Sequence, residues 1–354
     1  MAEKSLIKFA YQTLQQGKGI AGLAHKQLST KLMEVLEPQA IPSVEPISLD
    51  LLNELRHSIA SLEKVDWEDA EQGVYPKSQL FDSPWLEWAR RYPLLWLDLP
   101  STWTRRKNKE TRNIPSQPNK KIYPDYYLQN FHHQTDGYLS DHSAGLYDIQ
   151  VEILFNGTAD SMRRRILAPL KRGLKRFSDR PYSELRVLDL ATGTGRALKQ
   201  IRGALPEVQL LGIDLSSAYL RQASRCLNNR GGEFVELVRG NVENMPFENE
   251  SMQAVTCVFL LHELPPKARQ NALEECWRVL EPGGIIVLAD SIQLTDSPQF
   301  SKVLEDFHKV FHEPYYKNYI NDDIETRLLN SKFESVKSQS HFMTRIWVAN
   351  KPIR

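Results

Sequence analysis

Hydrophobic positions along the chain follow two rhythms. Near the start they recur every three or four residues: Ile20, Leu23, Ala24, Leu28, Leu32, Met33 and Leu36 share one stripe, and Pro38 closes the pattern. This spacing predicts an amphipathic helix. A second helix reads from Ser48 as N-cap through Leu51, Leu52, Leu55, Ile59 and Leu62. Trp67, Trp85, Trp88, Trp96 and Trp103 then crowd into a proline-broken segment. Arg105 to Lys121, polar and basic with two prolines, reads as a linker or exposed loop. From Tyr123 to Asp148 the texture turns polar-aromatic, a poor core element but a suitable pocket lining. A helix follows over Ala159–Phe177, with Arg163, Arg164 and Arg165 as a cationic face.

Beyond that point the rhythm changes. Short apolar runs at Arg186–Leu190, Gln209–Ile213, Phe234–Val238, Ala254–Leu261 and Ile285–Ala289 alternate with helical runs GRALKQIRGAL, SSAYLRQASRCLNN and KARQNALEECWRVL. Near-continuous apolar strands separated by helices predict a mainly parallel sheet covered on both faces. FESVKSQS and FMTRIWVAN close the chain as a hairpin, which brings the expected sheet to seven strands. The expected division is a helical, Trp-rich extension with its basic linker over residues 1–122 and an α/β domain over 123–354. Residues 123–158 serve that domain as lid or substrate segment.

Composition changes little. The 354 residues are 41% hydrophobic and 25% charged with a net charge of +1, which supplies no electrostatic reason to expect nucleic acid. No apolar run reaches the 18 residues of a membrane span. The first residues lack the apolar core of a secretory signal. Cys226, Cys257 and Cys276 are too few and scattered for a disulfide framework or a CxxC metal site. A cytoplasmic protein is the plain expectation.

Chemistry concentrates at LDLATGTGRAL, Leu188 to Leu198, where two glycines follow a short strand at a helix start. Glycine there permits unusual φ angles and close approach of a ligand, and the free N–H groups favour a negative group. A nicotinamide dinucleotide requires GxGxxG, but the third place is Leu198. Asp214, 19 residues after Gly195, can accept ribose hydroxyls from either NAD or S-adenosylmethionine (SAM). No GK[ST] follows, which removes a phosphate loop.

The order LDLATGTG, GIDLS, GNVENMPF, AVTCVFLLHEL and RVLEPGGIIVLAD strongly resembles class I SAM-dependent methyltransferases, with their doubly wound, Rossmann-like α/β fold. YDIQVEILFNGTADSMRRR is similar to the ubiquinone and menaquinone C-methyltransferases, and FHHQTDGYLS to methyltransferase-like proteins of cyanobacteria and chloroplasts. The resemblance implies that Asp189, Ala191, Gly193 and Gly195 hold the methionine part of SAM, that Asp214 takes the ribose, and that Leu215, Asn241 and Val242 surround the adenine. Asn241 stands where the family carries aspartate. Phe259 or Leu260, near the end of the fourth strand, would face the cofactor.

His262 and Glu263, at the end of the fourth strand, are candidate catalytic groups; the competing reading of His262 is a cap for strand and loop. His132, His133 and Asp136 either reach the pocket from a lid, with His133 as a further catalytic candidate, or form a loop network. No HExxH-like spacing supports a metal, and none is expected. Tyr138, Tyr147 and Tyr316, with His132, are candidate substrate contacts. The polar tetrapeptide of amino-directed nucleic-acid methyltransferases is missing from HELPP, and Cys257 lacks the preceding proline of a covalent cytosine mechanism, so nucleic acid is disfavoured. The Trp-rich segment reads as packing onto the domain or, second, as weak peripheral membrane contact. The expected function is methyl transfer from SAM to a small hydrophobic or aromatic acceptor. A SAM-binding protein without catalysis and an NAD(P)-linked oxidoreductase are the alternatives.

Overall fold

The computed structural model describes residues 2–115, 122–227 and 235–353. Three long helices come first: α1 (Ala2–Leu36), α2 (Leu49–Glu71) and α3 (Trp85–Asn108). Next come α4 (Asp141–Leu154), α5 (Ala159–Arg164) and α6 (Leu167–Leu174). The sheet then alternates with helices: β1 (Arg186–Leu190), α7 (Arg196–Ala204), β2 (Gln209–Asp214), α8 (Ser217–Leu227), β3 (Glu236–Arg239), β4 (Met252–Val258), α9 (Pro266–Val279) and β5 (Leu280–Ser291). After α10 (Ser301–Val310), α11 (Tyr316–Tyr319) and α12 (Ile324–Asn330), the hairpin β6 (Glu334–His341) and β7 (Thr344–Asn350) ends the fold.

The seven strands lie in the order β3-β2-β1-β4-β5-β7-β6. β1 pairs parallel with both β2 and β4, and β7 alone inserts antiparallel beside β5. The chain therefore leaves β1 in both directions across the sheet, and a crevice opens at the carboxyl ends of β1 and β4. Both faces are buried at the centre of the sheet, whereas the edge strand β6 is largely exposed. Along β1 and β5, Leu188, Leu190, Ile286 and Leu288 enter one core, and Val187, Ile285, Val287 and Ala289 enter the other. This is the two-sided burial that the unbroken apolar runs require.

Several expectations are corrected. The first helix exists, and Ser48 caps the second by accepting from Leu51 N at 3.2 Å. The apolar stripe of α1 nevertheless faces outward: Ile20, Leu23, Leu28, Leu32 and Leu36 are 39–69% exposed, and only Met33 is buried. The inward face carries Tyr11, Gln15, His25 and Met33. α3 runs without interruption through Pro93 and Pro100. It buries Trp88 and Trp103 while leaving Leu86 and Leu97 exposed, so the segment packs on one side only. The polar linker begins inside that helix, where Arg105 is buried and donates to His133 O (2.8 Å) and Thr135 Oγ1 (2.6 Å). Residues 116–121 of the linker, Phe234 of the third predicted strand and Asn228–Asn229 of the preceding helical run lie outside the described residues. The helix expected over Ala159–Phe177 divides, because Pro169 has no N–H to donate to Arg165 O and its ring crowds that carbonyl.

Arg163, Arg164 and Arg165 form no exposed cationic face. All three are buried, and Arg164 and Arg165 both ion-pair with Asp66 of α2. Asp66 also accepts from Tyr11 (2.8 Å), Tyr75 (2.7 Å) and Ser161 (3.0 Å), which ties the N-terminal helices to the domain that carries the sheet.

Candidate functional site

The cavity at the switch point is built from the β1–α7 turn, the ends of β2, β3 and β4, and the segment ahead of α4. In the turn, Ala191, Gly193 and Gly195 have φ of 48°, 54° and 81°. The two glycines serve different needs. A Cβ on Gly193 would meet nothing closer than 3.8 Å, so open space lies in front of it. A Cβ on Gly195 would stand 3.0 Å from Ala223 Cα, so that glycine lets α7 close on α8.

Two carboxylates flank the turn. Asp214 accepts from Gly193 N (2.8 Å) and Ser216 N (2.7 Å), and burial pushes its carboxyl up to about 6 despite those donors. Asp189 accepts from Thr256 (2.6 Å) and Thr192 (2.8 Å) and is likewise pushed to about 6 by burial. Both sit where desolvation disfavours charge until a donor arrives. Asn241 Oδ1 accepts from Glu243 N at 3.0 Å, and Phe259, at φ 57°, stacks on Phe155.

The segment before α4 covers the opening, as its polar-aromatic texture suggests. Tyr138 packs edge-on against Tyr219 (5.4 Å) and Tyr147 (6.1 Å), and its hydroxyl donates to Glu263 Oε1 at 2.5 Å. Ser216 Oγ donates to Tyr138 O at 2.6 Å, which clips this segment to the end of β2. At the other end, Thr194 donates to Asp148 (2.8 Å), and Arg163 pairs with Asp160 (3.0 Å) beside the same turn.

Of the cofactor candidates, Asp189, Ala191, Gly193, Asp214, Leu215, Asn241, Val242 and Phe259 line this cavity; Gly195 lies behind it. Tyr138, Tyr147 and Glu263 line it as well. His262 stands behind Glu263, with Nδ1 2.5 Å from Asp290 Oδ1. Burial opposes its charge, but Asp290 outweighs that and raises the imidazole to about 9. His132 contacts Glu313 from behind the wall at 3.1 Å. His133 does not reach the cavity; its ring lies near His312, and burial, helped by Arg106, lowers it to about 3. Tyr316 is also displaced from the wall, bonding Ser291 Oγ at 2.8 Å and packing at a tilt against Phe307. Tyr126 and Tyr127, inside the stretch read as a pocket lining though not singled out, line the cavity too, and the sequence reading missed Arg163, Thr194 and Tyr219 there. The YD pair at Tyr147–Asp148 was the available signal for the residues around Thr194.

Residues 187–284 match a family model described as a methyltransferase domain. Demethylmenaquinone methyltransferase of Lactiplantibacillus plantarum is 32% identical over 195 residues, covering 52% of this chain and 76% of that protein. Demethylmenaquinone methyltransferase of Thermotoga maritima is 31% identical over 152 residues, 43% of this chain and 59% of that protein. Carboxy-S-adenosyl-L-methionine synthase of Actinobacillus succinogenes is 32% identical over 126 residues, 35% of this chain and 52% of that protein. The chain thus spans little more than half the length of the last two relatives. With the glycine turn, the acid at the tip of β2 and the sheet order in place, the chain belongs to the class I SAM-dependent methyltransferases.

Proposed function

We propose that this protein methylates a small hydrophobic or aromatic acceptor, of the quinone, phenol or isoprenoid kind, bound under the tyrosine-rich segment. One observation supports this above all: Tyr126, Tyr127, Tyr138, Tyr147 and Tyr219 line the same cavity as the glycine turn, and Glu263 is the sole carboxylate among the described lining residues beyond the two that flank the turn. Aromatic walls suit a flat acceptor.

SAM fits the residues present. Gly193 offers open space in front of it, and Asp214 carries a buried carboxylate held only by backbone donors, ready for ribose hydroxyls. Asp189, Gly193 and Thr194 would hold the methionine end, with Arg163 near its carboxylate, and Leu215, Asn241 and Val242 the adenine. When bound, SAM supplies an electrophilic methyl group. The chain's own part is to orient the acceptor, to keep water out with the tyrosines, and to take up a proton at Glu263 Oε1. His262, fixed by Asp290, positions the turn that carries Glu263.

A lipid surface is the second partner in this reading. It is supported by the exposed apolar face of α1, which suits delivery of a lipophilic acceptor.

Methyl-labelled SAM incubated with a panel of quinones, phenols and isoprenoid lipids tests the assignment. Transfer to at least one class is expected, and Glu263→Gln should lower kcat by ~100-fold or more with SAM affinity unchanged. SAM binding without transfer to any acceptor would favour a non-catalytic protein, and tight NADH binding without SAM binding an oxidoreductase.

A further inference from the structure

Behind the Glu263 wall, three segments distant in sequence bring together His132 from the covering segment, Glu263 from the turn after β4, and Glu313 from the loop after α10. One ligand atom from each lies within 4.8 Å of the other two. His132 Nε2 is 3.1 Å from Glu313 Oε1 and 3.9 Å from Glu263 Oε1. Glu313 is only 3% exposed, and apart from the His132 ring, whose Nε2 is near Oε1 without hydrogen-bonding alignment, no donor among the described residues meets its oxygens; burial, with Glu263 beside it, pushes its carboxyl well above the usual carboxylate range. A carboxylate stripped of water and left without donors is costly, and such groups are ordinarily paired or bound to a metal.

We propose that His132, Glu263 and Glu313 form a binding site for a divalent first-row transition ion. One imidazole and two carboxylates are the donors that Mn(II), Fe(II), Co(II) and Zn(II) accept. The ion draws the two carboxylates together and gives Glu313 a charged partner that the His132 ring alone does not supply. Three protein ligands leave a coordination position for water or another small oxygen ligand, and Glu263 is the ligand that links the site to the cavity wall. His262 stands alongside, its Nε2 3.9 Å from Glu263 Oε1 and its Nδ1 tied to Asp290, and so anchors Glu263 from behind. No sequence motif signals such a site, because the ligands come from positions 132, 263 and 313 and no local spacing joins them.

The cation site does not rest on the proposed methyl transfer, although Glu263 belongs to both. The test is titration of chelator-treated full-length protein with Co(II), followed by calorimetry and by visible d–d absorption. One equivalent per chain is expected, with affinity lowered more than ~100-fold in Glu313→Gln and in His132→Asn, beyond the ~10–100-fold typical of losing only a supporting partner. Asparagine is chosen at 132 because the backbone there has φ 55°, which asparagine tolerates. Circular dichroism and SAM titration on the same samples separate the failures. Folded, SAM-binding protein that takes up no stoichiometric Co(II), or whose Co(II) affinity survives both substitutions, overturns the cation site. Loss of SAM binding with intact Co(II) binding overturns the methyltransferase reading instead.

Discussion

At the scale of the residue, Asp66 shows how a single buried acid holds two parts of the molecule together. It is fully buried and faces Arg164, Arg165, Tyr11, Tyr75 and Ser161. Burial alone would raise its carboxyl, but the two guanidiniums outweigh burial and hold it well below the usual carboxylate range. Replacing Asp66 with Asn keeps the shape but leaves buried Arg164 without a carboxylate and Arg165 with Asp69 alone, which should cost about 3–5 kcal/mol in denaturant unfolding. The pH dependence follows from the depressed folded-state value. The contribution is fully present above the unfolded carboxyl's value of about 4 and fades as pH falls below it. Wild-type stability should therefore drop on acidification more steeply than that of Asp66→Asn; parallel curves would mean that the ion pairs contribute little.

At the scale of the element, the β1–α7 turn separates two roles that sequence alone merges. Gly193 and Gly195 both hold positive φ, so alanine at either carries a backbone penalty of ~1–2 kcal/mol. Beyond that the two should diverge. Alanine at 195 presses its Cβ on Ala223 and wedges α7 from α8, lowering the thermal midpoint further. Alanine at 193 meets only the cavity, so its extra effect should appear as weaker SAM binding. Melting curves and SAM titrations of both variants check this; equal effects on both measures would refute the division. The same contrast marks the limits of what sequence can tell. The strand–helix alternation, the mainly parallel sheet, the hairpin and the glycine turn were legible because period and motif are local properties. The inward face of α1 was not, because Tyr11, Gln15 and His25 are buried through hydrogen bonds and ring contacts with distant partners, against their average preference. The passage of α3 through two prolines, and the gathering of Tyr127 and Tyr219 at one cavity, likewise depend on tertiary packing that no local pattern encodes.

At the scale of the whole molecule, exposed apolar surface is distributed unevenly. Seventeen of the twenty exposed large hydrophobic side chains among the described residues fall between Leu6 and Leu97. Along α1 they form a stripe about 45 Å long, from Leu6 and Phe9 through Ile20, Leu28 and Leu32 to Val35. Lys8, Lys31 and Glu34 are the charged residues exposed on that helix among those described, too few for electrostatic attachment to lead. No described helix is long and apolar enough to cross a membrane, so contact would be peripheral. A stripe of this kind suits a lipid surface, entered by the helix lying flat. Co-sedimentation with uncharged phosphatidylcholine vesicles should detect binding that changes little between low and high salt, since burial of apolar area rather than counterion release drives it. The double substitution Leu28→Glu with Leu32→Glu should weaken binding at least ~10-fold, as each leucine contributes roughly 1.5–3 kcal/mol when fully buried, while SAM affinity stays unchanged. If vesicles capture nothing and light scattering instead finds a dimer that the double substitution dissolves, the stripe is an interface between two copies of this chain, and delivery of the acceptor from a membrane loses its support.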